Sequence, residues 1–482
     1  MLSDIAPFKL VGNLYFVGTY KASSHLLVTE EGMMLIDTGY EDNAETIVDS
    51  VTALGFDIKE LKYILHSHGH GDHTDATAKL VALTGAKTFL GREDVRYIKG
   101  FTPDFFYEDG EIVRLGSTAV RCVFTPGHTE GTYSFFFDVE EEGRTLRCGM
   151  FGGAGSNQLK KDYMQRREIS YLMRGAFLRS IERMKAEQVD VFVGNHCWHN
   201  ATKEKAALLP TATENPFINP KEWLPFLEES VQKLLRIMKE ESRTHFVNYA
   251  HRGASEYTPE NTLLAFYTGI YMGANGIETD VRHTKDGVLV LHHDKTPERM
   301  AGDTRPVSEL TFEELANLQF EKNGLTDKIA TLEDFLRLFA HRDITFAIEL
   351  KGEGVEADVA ALLSRYGVEK KCVVTSFKFD YIKKIKALSP KLRVGWLVQD
   401  VSDETVAALL SIGGEEICPE AKDVTPERVE AWHRLGLNVR AWGVYNEELM
   451  RAVYDSGADG MTVNFPDRLQ DYIKKCTEQT AE

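Results

Sequence analysis

Strand-like runs recur at regular spacing through the second half of this chain, and helical stretches separate them. Eight such runs lie between residues 245 and 482. A strand–helix unit repeated this often over this length predicts a (β/α)8 TIM barrel, in which the carboxyl ends of the strands open into the functional site. The predicted strands are 246–250, 276–281, 345–350, 372–376, 393–397, 416–418, 438–442 and 460–463.

The first half of the chain has a different pattern, with more strands than helices. This mixture predicts two β-sheets flanked by helices. An amphipathic helix is predicted from Pro220 to Ser242, where it would close the first domain. The whole chain is therefore predicted to be α/β, with domains at residues 1–242 and 243–482. The predicted strands are 13–16, 24–28, 32–37, 63–66, 87–90, 119–124, 133–139 and 146–150, with a helix at 43–54.

Composition and charge exclude several classes of protein. With a formal net charge of −18, the chain lacks the broad positive face on which nucleic-acid binding relies. No stretch reaches the roughly 20 apolar residues that span a bilayer, and the first residues lack the pattern of a secretory signal. The six cysteines are scattered, which favours reduced thiols. We expect a cytoplasmic enzyme without nucleic-acid partners or stable membrane insertion; whether it is a homo-oligomer stays open.

A histidine-rich motif in the first half predicts a metal site. The run His68–His73 places four metal-binding side chains in six residues and follows a predicted strand, so it is interpreted as a loop. Imidazole nitrogens and a carboxylate oxygen are ligands that suit zinc. His128 follows the predicted strand 119–124, and His196 follows a further strand-like run at 191–193, so both are candidate ligands.

This half of the chain, over about residues 1–242, resembles the metallo-β-lactamase-fold hydrolase superfamily. The resemblance rests on residues 36–39, 68–73, 125–128 and 194–196. It implies an αββα sandwich that holds two Zn2+ ions, with Asp37 orienting the ligands. By this resemblance the first zinc is held by His68, His70 and His128, and the second by Asp72, His73 and His196, with Asp72 also active in catalysis.

The first half departs from many members of that superfamily in one element. They place a metal-bridging aspartate after the strand that ends here at Met150, whereas this chain has Phe151-Gly152-Gly153-Ala154-Gly155. That pattern resembles the branch of the B3-type β-lactamases and slightly favours carbonyl substrates. The fold does not name the substrate, so an ester, lactone, amide or phosphodiester stays open. A non-catalytic metal-binding or regulatory module and a β-lactamase-like enzyme are the alternatives.

In the second half, the spacing of the acidic residues predicts a second metal site. Glu278 and Asp280 are two apart on a predicted strand, so both side chains face the same side. Glu349 lies at the end of the third predicted strand. Three converging carboxylates suit a hard cation, Mg2+ or Ca2+, better than zinc.

This second half resembles the glycerophosphodiester phosphodiesterase family throughout. The motifs are at 251–253, 259–262, 278–281, 284–287, 293–294, 349–351, 376–377 and 441–442. The resemblance implies that His251 and His293 form a general acid–base pair, since histidine titrates near neutrality. It implies that Arg252 and Lys351 bind the phosphate of a small, phospholipid-derived substrate.

The expected reaction yields glycerol 3-phosphate and an alcohol, so the whole chain would be a bifunctional metal-dependent hydrolase of lipid metabolism. Residues 295–307, which include Arg299, follow the family's arginine-and-threonine pattern only loosely, and this leaves the alcohol open. Trp442 would either cover the glycerol or pack at the rim of the barrel.

Overall fold

The computed structural model describes residues 5–479, which divide into two compact units. The first unit contains the described residues up to Tyr163 together with Met173–Leu235. The second contains Met164–Leu172 and the described residues from Arg236 onwards. The domain limits of 1–242 and 243–482 stay a prediction.

The first unit contains two β-sheets. One has seven strands that pair in sequence order, β1 to β7, and the other has five strands in the order β12-β11-β10-β9-β8. The strands are β1 Phe8–Val11, β2 Leu14–Phe16, β3 His25–Thr29, β4 Gly32–Ile36, β5 Leu61–Leu65, β6 Lys87–Leu90, β7 Phe105–Phe106, β8 Glu111–Leu115, β9 Thr118–Phe124, β10 Tyr133–Glu141, β11 Arg144–Met150 and β12 Val191–Phe192.

Helices cover the outer face of each sheet, so the predicted αββα sandwich is confirmed. A buried apolar cluster that includes Met34 and Phe135 lies between the sheets. A second cluster, including Leu35 and Ile47, lies between the first sheet and its helices. In chain order, the helices up to residue 244 are α1 Asn43–Ala53, α2 Gly71–Thr74, α3 Thr77–Thr84, α4 Lys161–Arg167, α5 Leu172–Lys185, α6 Thr202–Leu208 and α7 Trp223–Thr244; the later parts of α4 and α7 belong to the second unit.

Helix α7 begins three residues later than predicted. Asn219 accepts a hydrogen bond from the backbone N–H of Lys221, which keeps the chain in a turn before the helix. The apolar face of this amphipathic helix would include Leu224 and Leu227, three residues apart; Leu227 is buried, but Leu224 is exposed and Trp223 is buried in its place. The Trp223 ring contacts the second sheet, at 5.4 Å from the ring of Phe192.

All eight predicted strands of the second half form a closed parallel barrel, because β13 pairs with both β14 and β23. Most residues of these strands are buried, as expected for parallel strands covered on both faces, and the buried residues include charged ones such as Glu278 and Arg440. They are β13 Val247–His251, β14 Gly276–His283, β18 Thr345–Leu350, β19 Cys372–Ser376, β20 Arg393–Val398, β21 Glu416–Pro419, β22 Asn438–Val444 and β23 Gly460–Val463; β15 Leu289–Leu291, β16 Phe320–Lys322 and β17 Leu325–Asp327 are additional.

Helices alternate with the barrel strands, and threonine side chains cap several of them. Thr262, Thr331 and Thr425 each accept a hydrogen bond from a backbone N–H of the first helical turn. The helices are α8 Leu263–Tyr271, α9 Glu298–Ala301, α10 Phe312–Ala316, α11 Leu332–Phe339, α12 Glu356–Arg365, α13 Phe379–Leu388, α14 Asp403–Ser411, α15 Pro426–Arg434, α16 Glu447–Asp455 and α17 Pro466–Gln479. Within residues 5–479, no helix combines the length and apolar character needed to cross a bilayer.

Candidate metal centres and catalytic site

The six metal-ligand candidates of the first unit lie close together. The loop after β5 and the short helix α2 carry four of them, while His128 follows β9 and His196 follows β12. The structure forms two groups in which the nearest ligand atoms lie within 4.8 Å of one another. One group is His68, His70 and His128; the other is His68, Asp72 and His73.

His68 therefore belongs to both groups, which the sequence did not indicate. His196, predicted with Asp72 and His73, lies beside the second group. Its Nε2 is 3.7 Å from Asp72 Oδ2, and its ring centroid is 5.0 Å from that of His73. The ligand assignment stays a proposal.

The imidazole nitrogens are arranged in a way that fits a metal. His128 Nδ1 lies 2.8 Å from the Gly155 carbonyl, and His196 Nδ1 lies 2.7 Å from the Lys21 carbonyl. Such a backbone acceptor fixes the ring and leaves Nε2 available as a ligand. Among the described residues, the buried Nε2 atoms of His68 and His73 have no hydrogen-bond partner.

Burial also favours the neutral, metal-binding form of these histidines. It lowers the pKa of His128 to about 3 and the pKa of His196 to about 4, with neighbouring histidines adding to the effect. His73 differs: burial is the largest influence on its pKa and lowers it, but the charge and hydrogen bond of Asp37, together with the charge of Asp72, outweigh burial and raise that pKa. His73 Nδ1 lies 2.8 Å from Asp37 Oδ2, the orienting contact predicted from the resemblance.

Asp94 joins the two ligand loops, and sequence reasoning missed it. Its buried carboxylate accepts hydrogen bonds from the Gly69 N–H, the Thr129 hydroxyl and the Gly131 N–H, at 2.7, 2.7 and 2.8 Å. Burial raises its pKa to about 6 despite these donors. Asp94 therefore ties the loop of His68 and His70 to that of His128. No motif surrounds it in the sequence.

The glycines after β11 lie directly against the centre. A Cβ atom on Gly152 would lie 1.9 Å from the Tyr133 carbonyl oxygen, and one on Gly153 would lie 2.6 Å from His128 Cβ. Contacts this short are forbidden for real side chains. The element that replaces the usual Gly-Asp is thus a close backbone approach to His128.

In the second unit, the predicted catalytic residues surround a cavity of about 340 Å3 at the carboxyl ends of the barrel strands. Phe377, Trp442 and Tyr445 also line it, so Trp442 faces the site. Sequence reasoning missed Arg440 and Asn464, two further lining residues. The predicted residues that line the cavity are His251, Arg252, Glu278, His293, Glu349 and Lys351.

The three predicted acidic ligands converge at this cavity. Ligand atoms of Glu278, Asp280 and Glu349 lie within 4.8 Å of one another, and all three side chains are buried. Burial, followed by the charge of Asp280, raises the pKa of Glu349 to about 7 and that of Glu278 well above its usual range. Burial would raise the pKa of Asp280 too, but the nearby cations Arg252 and Lys351 lower it. A bound cation would relieve this repulsion.

Further contacts fit a cation here. Within the described part of the chain, Asp280 Oδ1 has no hydrogen-bond partner, while Oδ2 accepts a hydrogen bond from Asn261 Nδ2 at 2.9 Å. Lys351 Nζ lies 2.8 Å from Glu349 Oε1 and 3.7 Å from Asp280 Oδ1. Lys351 therefore adds positive charge beside the acidic group.

Arg252 is held by its backbone as well as by its side chain. Its φ of 55° is left-handed, a strained conformation that functional sites often contain. Its N–H donates to the Glu278 carbonyl at 3.0 Å and to Glu278 Oε2 at 3.1 Å. Its guanidinium donates to Glu260 at 2.9 Å and lies 3.3 Å from Asp280 Oδ2.

Each candidate acid–base histidine has an oxygen partner at Nδ1. For His251 this is Asn464 Oδ1 at 2.6 Å, and for His293 it is Asp294 Oδ1 at 2.8 Å. These partners leave both Nε2 atoms available for proton transfer. Burial lowers the pKa of His251 to about 4. The neighbouring His292 is buried and contacts the Thr296 carbonyl instead.

Comparison with known proteins finds a matching family model for each half of the chain. A model of the glycerophosphoryl diester phosphodiesterase family matches residues 251–468, and one of the metallo-β-lactamase superfamily matches residues 17–149. A glycerophosphodiester phosphodiesterase of Caldanaerobacter subterraneus is 31% identical over 235 residues, which are 47% of this chain and 97% of the relative. One from Bacillus altitudinis is 32% identical over 233 residues, 46% of this chain and 95% of that protein.

Among solved structures, the native FEZ-1 metallo-β-lactamase from Legionella gormanii is similar to the other half. It is 28% identical with a TM-score of 0.46, covering 50% of this chain and 98% of that one. The chain belongs to the glycerophosphodiester phosphodiesterase family through its barrel, and it carries a metallo-β-lactamase superfamily domain ahead of that barrel.

Proposed function

We propose that the barrel domain, residues 243–482, hydrolyses a glycerophosphodiester to glycerol 3-phosphate and an alcohol. The observation that carries this proposal is the convergence of two histidines, two cations and two carboxylates on one cavity, with a third carboxylate, Asp280, within 4.8 Å of those two. Phosphodiester hydrolysis needs a base for the nucleophile, an acid for the leaving alkoxide and positive charge for the phosphate. The named relatives support the same reaction.

Each residue has a role that follows from its position. His251 and His293 form the acid–base pair, with Asn464 and Asp294 holding their Nδ1 atoms. Arg252 binds phosphate oxygens through paired N–H donors, and Lys351 adds a point charge. The roles of these side chains depend on their proximity within one cavity of the barrel.

The carboxylates Glu278, Asp280 and Glu349 would hold the divalent cation of this site. Three oxygen ligands on a rigid barrel edge suit Mg2+ or Ca2+. When bound, such a cation would supply positive charge that stabilises the phosphate in the transition state.

A metal-removal experiment tests this assignment. Treatment with a chelator is expected to abolish glycerophosphodiester hydrolysis, and Mg2+ or Ca2+ should restore it, because the ligands are all carboxylates. The measurement is glycerol 3-phosphate release before and after each addition. Full activity without metal, or recovery with Zn2+ alone, would contradict the assignment.

For the first domain, residues 1–242, we propose a two-zinc hydrolase acting on an ester, lactone, amide or phosphodiester. His68, His70 and His128 would hold one zinc, and Asp72, His73 and His196 the other, with Asp72 also acting in catalysis. When bound, zinc would supply a Lewis acid that makes water nucleophilic near neutral pH. The neutral imidazoles and the unpartnered Nε2 atoms support this.

Two other functions of the first domain have distinct outcomes. A non-catalytic module would bind zinc but turn over no member of an ester, lactone, amide and phosphodiester panel. A β-lactamase-like enzyme would hydrolyse nitrocefin. The panel therefore separates all three, and we expect ester or lactone turnover without nitrocefin turnover.

Asp94→Asn is expected to weaken zinc binding about 10- to 100-fold, the usual cost of losing a group that orients ligands. Asp94 accepts hydrogen bonds from Gly69, Thr129 and Gly131. In the variant, the asparagine NH2 group would face some of these donors and could not accept their hydrogen bonds. The measurement is zinc affinity by competition with a chelating dye.

Asp104→Asn is the matched control. The Asp104 carboxylate also accepts from a backbone N–H, that of Thr88 at 3.0 Å, but it contacts neither ligand loop. Equal zinc affinities of the two variants would show that Asp94 does not hold the ligands.

A further inference from the structure

Arg299 lies at the centre of a chain of ion pairs. Its Nε donates to Asp294 Oδ2 at 2.7 Å. Its Nη2 and Nη1 donate to the two carboxylate oxygens of Glu260, at 2.6 and 3.0 Å. One planar guanidinium therefore bridges two carboxylates, a geometry that lysine cannot reproduce.

Both carboxylates also hold a residue of the proposed phosphodiesterase site. Asp294 Oδ1 lies 2.8 Å from His293 Nδ1. Glu260 Oε1 accepts from Arg252 Nη1 at 2.9 Å. The contacts thus run without a gap from His293 through Arg299 to Arg252. Because two carboxylates alternate with two guanidinium groups, their charges balance.

We propose that Arg299 is a positioning residue that fixes the His293 imidazole relative to the Arg252 guanidinium. The inference rests on the proposed phosphodiesterase function and deepens it, because it links the residue that transfers a proton to the residue that binds phosphate. Without Arg299, Glu260 and Asp294 lose their shared counter-ion and the hydrogen bonds that fix the angle at which each carboxylate meets Arg252 or His293. Both catalytic side chains then lose their orientation together.

The position of Arg299 in the chain indicates what residues 295–307 contribute to the site. Residues 295–307 follow the family pattern only loosely, yet α9, Glu298–Ala301, carries Arg299 to the edge of the site. Side-chain exposure is 48% for Arg299 and 9% for Glu260, so the arginine reaches inward from the surface to a buried carboxylate. The segment therefore supplies a counter-ion to the site.

The first test compares Arg299→Ala with Arg299→Lys and Arg305→Ala. Arg305 is the matched control: it lies on the same segment, is 52% exposed and pairs with two carboxylates, Asp303 and Glu314. Arg299→Ala should lower kcat for a glycerophosphodiester about 10- to 100-fold, as loss of an orienting partner does, and raise KM through Arg252. Arg299→Lys should restore part of kcat, and Arg305→Ala should match the wild type.

The second test reads the His293 pKa directly by imidazole NMR, so it does not depend on activity. Removing Arg299 leaves the Asp294 charge unscreened beside His293, and a nearby negative charge favours the protonated ring. The His293 pKa should therefore rise in Arg299→Ala, and the matching limb of the pH–rate profile should move to higher pH. A loss of fold stability alone would not shift the His293 pKa. The charged groups that act on His293 are Asp280, Arg252, Lys351 and Asp294, with Arg282 bonded to its carbonyl.

The outcomes separate the two proposals. An inactive wild type whose His293 pKa still rises in Arg299→Ala would overturn the proposed function and support the positioning role. If the wild type is active and Arg299→Ala has the same kcat, KM and His293 pKa as Arg305→Ala, the role of Arg299 is overturned. If Arg299→Ala does not fold, the same pKa comparison is made with Arg299→Gln, which also removes the charge and in which an unchanged His293 pKa overturns the inference.

Discussion

His251→Ala is expected to lower kcat/KM for glycerophosphodiester hydrolysis about 10^2- to 10^4-fold, the usual contribution of a positioned acid or base. The reason lies in the local geometry. The His251 Nδ1 atom is fixed by Asn464 at 2.6 Å, which leaves Nε2, 3.9 Å from Glu278 Oε2, as the nitrogen that would transfer the proton. The measurement is glycerol 3-phosphate release under saturating and limiting substrate.

His283→Ala is the control for this loss. His283 lies at the end of the same strand as Glu278 and pairs with Asp358 at 3.0 Å, away from the cavity. It should keep wild-type activity. Full phosphodiesterase activity in His251→Ala would refute the acid–base assignment, and equal losses in both variants would point to a general defect of the barrel.

His70→Ala is expected to abolish hydrolysis by the first domain and to lower zinc content from about two ions per chain. His70 Nδ1 lies 3.1 Å from His128 Nε2, within the group that also contains His68. Removing a ligand should cost more than the about 10- to 100-fold that follows loss of a group that merely orients one. Metal analysis and ester turnover measure the two effects.

The phosphodiesterase activity of the barrel should be unchanged in His70→Ala, because the proposed cation of the barrel is held by carboxylates of the second unit, whereas His70 lies in the first. His341→Ala, which removes an exposed histidine of the barrel, controls for weak surface binding of zinc. Retention of two zinc ions by His70→Ala would remove His70 from the ligand set. Unchanged zinc content together with lost ester turnover would mean that His70 acts in catalysis and does not hold zinc.

The sequence predicted the barrel well because its signal is repeated. Seven of the eight predicted strands begin at the observed residue, and three of them, 345–350, 372–376 and 460–463, also end there. Continuous apolar runs are typical of parallel strands buried on both faces. The first residue of helix α7 was harder to predict. A 3.6-residue period identifies the buried face of a helix, but its first residue depends on local hydrogen bonds, such as the one that Asn219 accepts from Lys221.

The sequence predicted those residues of the candidate sites that lie in recognisable motifs. Ligand and acid–base candidates stand in short motifs, whereas Asp94 and Asn464 act through partners distant in the chain. Asp94 contacts Thr129 from 35 positions away, and Asn464 contacts His251 from 213 positions away. Sequence spacing cannot show such pairs because tertiary folding creates them. The shared position of His68 likewise depends on how the loop folds.

The glycines behind His128 also determine which changes this centre can accept. A carboxylate at position 152 or 153 would need its Cβ within 1.9 Å of the Tyr133 carbonyl or within 2.6 Å of His128 Cβ. One substitution therefore cannot create a bridged centre, since it would first displace a ligand or a strand. Conversion needs at least two coupled changes, and the intermediate with only one of them would bind metal poorly. Selection on single mutations is therefore expected to keep this domain in its present form.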